Sequence, residues 1–168
     1  MNVIIRDVKK EDIPQVASIK INGWKTAYRG IVDDSFLDSF NLDKVIEKYY
    51  TNYTQNKFVV AEYNGEVVGF CRYSYMVFSP DGEGFDCELT ALYVKPELKG
   101  NGIGKTIINN VKKDMLNNGK TKMILWCLKD NFPSRKFYEK MGGQVVGEHS
   151  INFGGKDYME VGFGYKLI

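Results

Sequence analysis

The segment Glu88-Leu-Thr-Ala-Leu-Tyr-Val-Lys-Pro-Glu-Leu-Lys-Gly-Asn-Gly-Ile-Gly-Lys-Thr106 decides the fold, because it predicts a strand, a glycine-rich loop and a helix start in succession. The glycines at 100, 102 and 104 let the backbone approach a ligand closely. Free amides at a helix N-terminus carry the positive end of the helix dipole, so such a turn suits a phosphate or pyrophosphate. Lys99 and Lys105 add positive charge. The segment therefore predicts an anion-binding loop.

Two common phosphate-binding motifs each fail here by one residue. A dinucleotide-binding Gly-x-Gly-x-x-Gly that starts at Gly102 needs a small residue at 107, where the chain has Ile107. A P-loop that ends in Gly104-Lys105-Thr106 needs a glycine at 99, where the chain has Lys99. A P-loop-like nucleotide-binding protein and a glycine-rich turn without a ligand remain as alternatives from this segment alone.

Hydrophobic periodicity and turn residues extend the prediction outward from this segment. Helices are predicted from Glu11 to Trp24, over about 33–50 in one or two pieces, over 102–117 and over 133–141. Asn64-Gly65 predicts a hairpin turn. The order β-α-α-β-β-β-α-β-α-β-β predicts one domain, 1–168, with a mixed α/β sheet and helices on its faces. The predicted strands are 2–8, 57–63, 66–77, 87–94, 122–128, 144–152 and 157–167.

Composition excludes several classes of protein. A net charge of +2 does not indicate binding to nucleic acid or to an anionic membrane, and no apolar run is long enough to span a membrane. Cys71, Cys87 and Cys127 form no Cys-x-x-Cys pair, which argues against a disulfide scaffold or a zinc site. His149 is the only histidine and is predicted to be structural, so no metal is expected. Since the N-terminus lacks a signal-peptide pattern, we expect a cytoplasmic protein.

Two segments resemble motifs of the Gcn5-related N-acetyltransferase (GNAT) family. The glycine loop resembles motif A, Gln/Arg-x-x-Gly-x-Gly/Ala, as Lys99-Gly-Asn-Gly-Ile-Gly104, in which Lys99 keeps the charge of arginine without its planar fork. Downstream, Asn131-Phe-Pro-Ser-Arg-Lys-Phe-Tyr-Glu-Lys-Met-Gly142 looks like motif B, with Ser134 in place of the common alanine. Both motifs occur in the family order and on the expected elements.

The resemblance implies a GNAT-like fold with a mostly antiparallel mixed sheet, and a transferase that uses acetyl-CoA. It implies that the loop amides hold the CoA pyrophosphate. It also implies that the main chain of the preceding strand binds the pantetheine arm where neighbouring strands splay, with Asn131 bonding a pantetheine amide. The cofactor-binding residues implied in this way are Leu92, Tyr93, Val94, Lys99, Gly100, Asn101, Gly102, Ile103, Gly104, Lys105, Asn131 and Ser134.

Two residues are candidates for proton transfer. Glu88 lies eleven residues before Lys99, the spacing of the glutamate base in histone-acetylating relatives, and would take the proton of the amine directly or through water. A solvent-facing glutamate at a strand edge is the alternative, and Glu83, Asp86 or ordered water could act as the base instead. By the resemblance, Tyr138 would protonate the leaving CoA thiolate, with core packing as its alternative.

Aromatic residues are candidates for the acceptor pocket. By the resemblance, Trp24, Tyr28 and Tyr75 would line it, although each is equally suited to the core. Asp33 and Asp34 could attract a cationic substrate or serve at a helix start.

The leading hypothesis is an acetyl-CoA-dependent N-acetyltransferase in which a primary amine of a small molecule or peptide attacks directly. None of the cysteines belongs to an evident Cys/His pair, which disfavours a covalent intermediate. The alternative is a non-catalytic acyl-CoA-binding or sensor module on the same fold. Polyamine, aminoglycoside, amino acid and protein N-terminus all remain open as acceptors. The last two strands could contribute to a homodimer interface.

Overall fold

The computed structural model describes all 168 residues, Met1–Ile168, as one seven-stranded sheet covered by helices on both faces. The helices are α1 (Ile13–Ala27), α2 (Asp34–Asp38), α3 (Leu42–Asn52), α4 (Ile103–Asn117) and α5 (Phe132–Lys140). The strands are β1 (Ile4–Asp7), β2 (Lys57–Tyr63), β3 (Glu66–Ser74), β4 (Cys87–Val94), β5 (Lys122–Leu128), β6 (Gln144–Phe153) and β7 (Lys156–Lys166).

The strand order is β1-β2-β3-β4-β5-β7-β6, and every neighbouring pair is antiparallel except β4 with β5. This confirms the predicted mixed, mostly antiparallel sheet. Asn64 and Gly65 form the β2–β3 turn with φ of 51° and 79°, the positive values that a two-residue hairpin turn needs. A helix must connect the two parallel strands, and α4 makes that connection across one face.

Local hydrogen bonds explain where the observed elements differ from the predicted ones. The first helix begins at Ile13, after a short 3-10 turn, and the carboxylate of Asp12 accepts from the amide of Lys9 at 2.7 Å. The second helical region is divided into α2 and α3, because Asn41 caps α3 through a bond from the Lys44 amide at 3.1 Å. The second strand of the hairpin ends at Ser74, three residues earlier than predicted.

The core lies on both faces of the sheet. On one face α4 buries residues at helical spacing, and Ile107, Val111 and Met115 are fully buried there. On the other face α1 and α3 pack against β2 and β3. Strand β5 is buried on both sides over Met123–Leu125, as its continuous apolar run predicts. The buried β5 residues are the ones that pair with β4, so the two strands diverge from a point in the core.

The β6–β7 hairpin packs against the N-terminal helices. Its Phe153 stacks on Phe36 of α2 at a centroid distance of 5.7 Å and contacts Trp24 of α1 at 5.0 Å. A Cβ atom on Gly154 would lie 2.8 Å from the Phe36 ring, so glycine permits this close approach. The structure contains no helix with the length and apolarity required to cross a membrane.

Candidate active site

Strands β4 and β5 separate beyond Leu89, and the separation forms a cleft of about 550 Å³. The two strands pair only over Cys87–Leu89 against Met123–Leu125. Thr90 follows as a bulge without a partner in the register with β3, and its hydroxyl donates to the Arg72 carbonyl at 3.1 Å. An extended ligand can therefore approach the β4 backbone as an added strand.

The glycine loop closes one end of this cleft and presents main-chain donors to it. Gly100 and Gly102 have φ of 86° and 79°, which glycine adopts without strain, and Gly102 is the residue before α4. The amides of residues 100–105 donate to no other group of the protein. With the helix dipole behind them and the exposed side chains of Lys99 and Lys105 beside them, they form a cradle for an anion.

Three other residues of the loop have structural tasks. Asn101 does not line the cleft, and its side-chain amide donates to the Leu98 carbonyl at 3.0 Å within the loop. Gly104 faces α5, and a Cβ atom there would lie 3.2 Å from Cζ of Phe137. The third glycine therefore allows the start of α4 to pack against α5, while the first two provide the backbone conformation. Ile103 is 1% exposed and anchors the helix start in the core.

Asn131 caps α5, one of the two roles that the sequence offered for it, and it also borders the cleft. Its Oδ1 accepts from the Ser134 amide at 3.4 Å and caps α5, while the residue, 6% exposed, also lines the cleft. The side-chain NH₂ group has no acceptor within the protein. Since Ser134 lines the same wall, this end of α5 can receive the amides of a pantetheine arm.

Tyr138 also lines the cleft, one turn further along α5. Its ring packs beside Phe137 at 5.3 Å and Phe163 at 5.8 Å, which fixes its orientation. Burial raises the pKa of the Tyr138 phenol well above its ordinary value, with Cys127 and Tyr93 nearby as smaller causes. The hydroxyl is therefore protonated at neutral pH and is able to donate.

Glu88 is buried in the sheet one residue before Leu89, the first β4 residue of the cleft wall; it lines neither the cleft nor the solvent-facing edge of the sheet. It is 5% exposed, and its Oε2 accepts from the amides of Phe78 at 2.8 Å and Ser79 at 3.1 Å. These bonds hold the loop between β3 and β4 against the sheet. Oε1 receives no hydrogen bond from the protein.

The other two candidate carboxylates, Asp86 and Glu83, do not line the cleft. Asp86 accepts from the amides of Thr121 and Lys122, so its carboxylate joins the start of β4 to β5. Burial acts to raise the pKa of Asp86, but these hydrogen bonds outweigh it and hold the pKa below its ordinary value. Glu83 is exposed on the loop.

The three aromatic candidates for the acceptor pocket lie in three places. Tyr28 lines the cleft. Trp24 donates from its indole N–H to the Tyr93 hydroxyl at 2.8 Å and borders a second hollow described below. Tyr75 lies on the α4 face of the sheet, where its hydroxyl donates to Asp114 at 2.5 Å, and it does not line the cleft.

The second hollow, of about 440 Å³, adjoins the cleft on the face covered by α1 and α3. The two cavities share Thr90, Ala91 and Tyr93 of β4. The hollow is basic, with Lys20, Lys48 and Arg72 in its wall. These three cations were not among the predicted site residues. The four-residue spacing of Lys20 and Trp24, which places both on one side of α1, is the one signal for Lys20.

No group of three or more His, Cys, Asp or Glu side chains lies close enough together to hold a metal ion. His149 stacks on Trp126 at a centroid distance of 3.7 Å, and its Nε2 lies 2.9 Å from Oε1 of Glu160. Trp126 in turn donates to the Ser79 hydroxyl at 2.9 Å. The histidine thus packs the β6 edge against the loop that Glu88 holds.

Solved structures share this architecture over nearly the whole chain. The PaiA N-acetyltransferase from Thermoplasma acidophilum, crystallised in complex with coenzyme A, aligns with a TM-score of 0.72 at 24% identity and covers 99% of both chains. A GCN5-related N-acetyltransferase from Rhodopseudomonas palustris aligns with a TM-score of 0.80 at 18% identity, over 99% of this chain and 97% of the other. These likenesses show the fold.

Sequence comparison extends the likeness to characterised and uncharacterised N-acetyltransferases. The uncharacterized N-acetyltransferase YuaI of Bacillus subtilis is 29% identical over 97% of this chain and 92% of its own. A spermidine N(1)-acetyltransferase of Thermoplasma acidophilum is 26% identical over 91% of this chain and 95% of its own. The family model "Acetyltransferase (GNAT) family" matches residues 24–143, the span that contains the glycine loop, the cleft and α5. With both motifs at the cleft and most of the chain matched, the protein belongs to the GNAT acetyltransferase family.

Proposed function

We propose that the protein is an acetyl-CoA-dependent N-acetyltransferase that moves the acetyl group to a primary amine of a small molecule or peptide by direct attack. The observation that carries the proposal is the conjunction of two features at one cleft. The β4 backbone is accessible where the strands part, and the amides of 100–105 lie unpaired at the start of α4. An anionic pyrophosphate joined to an extended arm of amides fits both features.

The residues around the cleft suit the successive parts of acetyl-CoA. The amides of the loop, with Lys99 and Lys105, would hold the pyrophosphate. Main-chain groups of Leu92–Val94 would hydrogen-bond the pantetheine arm, and Asn131 would donate to one of its carbonyls from the opposite wall. In this proposed arrangement the thioester would lie near Thr90, where the cleft meets the second hollow.

Acetyl-CoA supplies an activated acyl group, so the protein needs only to position the two reactants and to move two protons. The neutral amine nitrogen forms the C–N bond as the C–S bond breaks. We assign the proton of the amine to Glu88, through water at the unbonded Oε1. Tyr138, which is protonated because burial raises its pKa, donates its proton to the departing thiolate sulfur, and the proton that Glu88 has taken from the amine returns to the Tyr138 oxygen through water.

The cysteines favour direct attack over a covalent enzyme intermediate. A nucleophilic cysteine must be a thiolate, and a buried thiol in apolar surroundings resists ionisation. Burial, together with the nearby Glu160 carboxylate, raises the pKa of Cys127 to about 12. Burial and Asp86 raise the pKa of Cys87 to about 12. Both thiols are therefore protonated at neutral pH, including Cys127 in the cleft wall.

A screen of amines for acetyl-CoA-dependent CoA release tests the proposal. We expect release above the amine-free rate for at least one class of primary amine, with the acetylated amine identified by mass spectrometry. Tyr138→Phe removes a single oxygen from the cleft wall and should lower the rate of release, which would attribute the activity to this cleft. Tight binding of acetyl-CoA without turnover of any amine would instead identify the protein as an acyl-CoA-binding module.

A further inference from the structure

The basic hollow beside β4 has a position that suits an acceptor. It shares Thr90, Ala91 and Tyr93 with the cofactor cleft, and Thr90 is the bulge at which β4 and β5 diverge. The shared strand means that a molecule held in the hollow can extend its amine to the end of the cleft. If acetyl-CoA lies in the cleft as proposed above, the hollow adjoins its thioester.

The charge of the hollow is positive and uncompensated. Lys20, Lys48 and Arg72 line it together with neutral and aromatic residues, and no aspartate or glutamate is in its wall. None of the three cations forms a salt bridge elsewhere in the protein. Burial, and then the positive charges of Lys48 and Arg72, lower the pKa of Lys20, as expected for a lysine that faces two like charges.

The protein holds Arg72 in place despite this repulsion. One guanidinium nitrogen donates to Oδ1 of Asn52 at 2.9 Å, and the other donates to the carbonyls of Asn52 and Gln55 at 3.0 and 3.1 Å. The guanidinium also lies 4.7 Å from the centroid of the Phe58 ring. The position of this charge is therefore fixed before any ligand binds, as pre-organised recognition requires.

The acidic residues that the sequence offered as attractors for a cationic substrate are already paired. Asp33 accepts from Lys156 at 3.1 Å, and Asp34 pairs with Arg29 at 3.0 Å. Neither lines the hollow or the cleft. The field at the mouth of the hollow is thus set by its cations, which repel a polyamine and attract an anion.

We propose that the acceptor is an amine that also carries an anionic oxyacid group, a carboxylate or a phosphonate, and that Lys20, Lys48 and Arg72 bind that group. The inference rests on the proposed acetyltransferase function and narrows its substrate class. The amine itself, neutral when it attacks, extends past Ala91 to the cleft. An amino acid meets this description, and a polyamine such as the substrate named for the archaeal relative does not.

The test compares acceptors that differ only in the anionic group. Each of a panel of amino acids is assayed for CoA release beside its carboxamide, its decarboxylated amine and, where one exists, its aminophosphonate analogue. We expect kcat/KM for the best amino acid or aminophosphonate to exceed that of the uncharged analogues about tenfold or more, the range of a hydrogen bond to a charged group. The ratio of carboxylate to phosphonate identifies which oxyacid the hollow prefers.

Two lysines of α3 provide a matched pair of variants. Lys48→Met should lower kcat/KM for the anionic acceptor about tenfold while leaving the carboxamide and the acetyl-CoA affinity unchanged. Lys44→Met, one turn earlier and outside the hollow, should change neither. Lys48→Glu should shift the preference toward the decarboxylated amine. If the Lys48 variants have a lowered melting temperature, Lys20→Met on α1 provides the same test with a different cation of the hollow.

Three results separate the inference from the function beneath it. A decarboxylated amine or polyamine that outperforms every anionic acceptor overturns the inference and leaves the acetyltransferase standing. An unchanged acid-to-amide preference in both Lys48→Met and Lys20→Met also overturns it. Absence of CoA release with every amine, although acetyl-CoA binds, refutes the proposed function itself.

Discussion

The cofactor cleft and the basic hollow meet at β4, yet different parts of the chain build them. The cleft offers main-chain amides of 100–105 and the backbone of β4, whereas the hollow offers charged side chains from α1, α3 and β3. Substitution of a side chain leaves the amides in place unless it changes the backbone conformation. One substitution in the hollow changes its charge. Under the proposed function, a side-chain substitution in the hollow alters recognition of the acceptor while the main-chain groups for acetyl-CoA stay in place.

The largest expected effect concerns Glu88, which lies in β4 two residues before Thr90, a residue that both regions share. Glu88→Gln keeps an oxygen that can accept from the Phe78 and Ser79 amides, but it removes the carboxylate that we propose takes the proton of the amine. We expect kcat to fall about a hundredfold to ten-thousandfold, with the calorimetric affinity for acetyl-CoA unchanged. Glu83→Gln on the exposed loop should have no effect. If the Glu88→Gln enzyme keeps the wild-type pH–rate profile, Glu88 is not the general base and water takes the proton instead.

The next effect separates chemistry from binding inside the cleft. Tyr138→Phe keeps the ring that packs on Phe163 and removes only the proton donor. We expect kcat to fall about tenfold to a thousandfold, the smaller values reflecting a thiolate that leaves well without help. Stability and acetyl-CoA affinity should stay near wild type. Unchanged kcat, with chemistry shown to limit the rate, would return Tyr138 to a packing role.

A third test asks whether backbone conformation governs the cleft. Gly102 and Gly119 have φ of 79° and 76°, and a Cβ atom on either would meet no other atom within 4 Å. Alanine at either position should therefore cost a similar strain, about 1–2 kcal/mol in thermal or urea unfolding. Only Gly102→Ala should lower the affinity for acetyl-CoA, by about tenfold. If the alanine moves the backbone out of the left-handed region, the amides of the loop no longer point at the pyrophosphate. Equal calorimetric affinities for acetyl-CoA in the two variants would contradict the assignment of the pyrophosphate to this loop.

The smallest expected effect concerns a side chain that lies in the cleft without taking part in the reaction. Cys127→Ser conserves volume and should leave kcat close to the wild-type value, because the thiol is protonated and no thiolate attacks. Burying a hydroxyl in its place should cost about 1–3 kcal/mol in unfolding free energy. Loss of all activity in a folded Cys127→Ser protein would point to an acetylated cysteine.

The parts of the molecule that the sequence predicts well are set by local backbone chemistry. The strand over 87–94 and the helix after Gly102 lie where the apolar run and the glycine pattern place them, within one residue. Asn64-Gly65 forms the expected hairpin. Each of these elements depends on residues that are adjacent in the chain, so the local sequence is enough to predict it.

The parts that the sequence does not predict depend on contacts between distant elements. The amides bonded to Glu88 come from a loop ten residues earlier, and the proximity of Gly104 to Phe137 depends on how α4 and α5 pack. Tyr75 is an aromatic candidate like Tyr28, yet it follows the end of β3 and its hydroxyl donates to Asp114 of α4, away from the cleft. The three cations of the hollow come from α1, α3 and β3, so the spacing of Lys20 and Trp24 on α1 does not indicate that Lys48 and Arg72 lie beside them.

Initial-rate kinetics with acetyl-CoA and an accepted amine varied together test the central claim most directly, because direct attack needs both molecules on the enzyme at once. The account predicts reciprocal plots that intersect, as expected for a ternary complex in which the amine reaches the end of the cleft beside Thr90. Parallel plots, with an acetylated enzyme detected by mass spectrometry before amine is added, would contradict it.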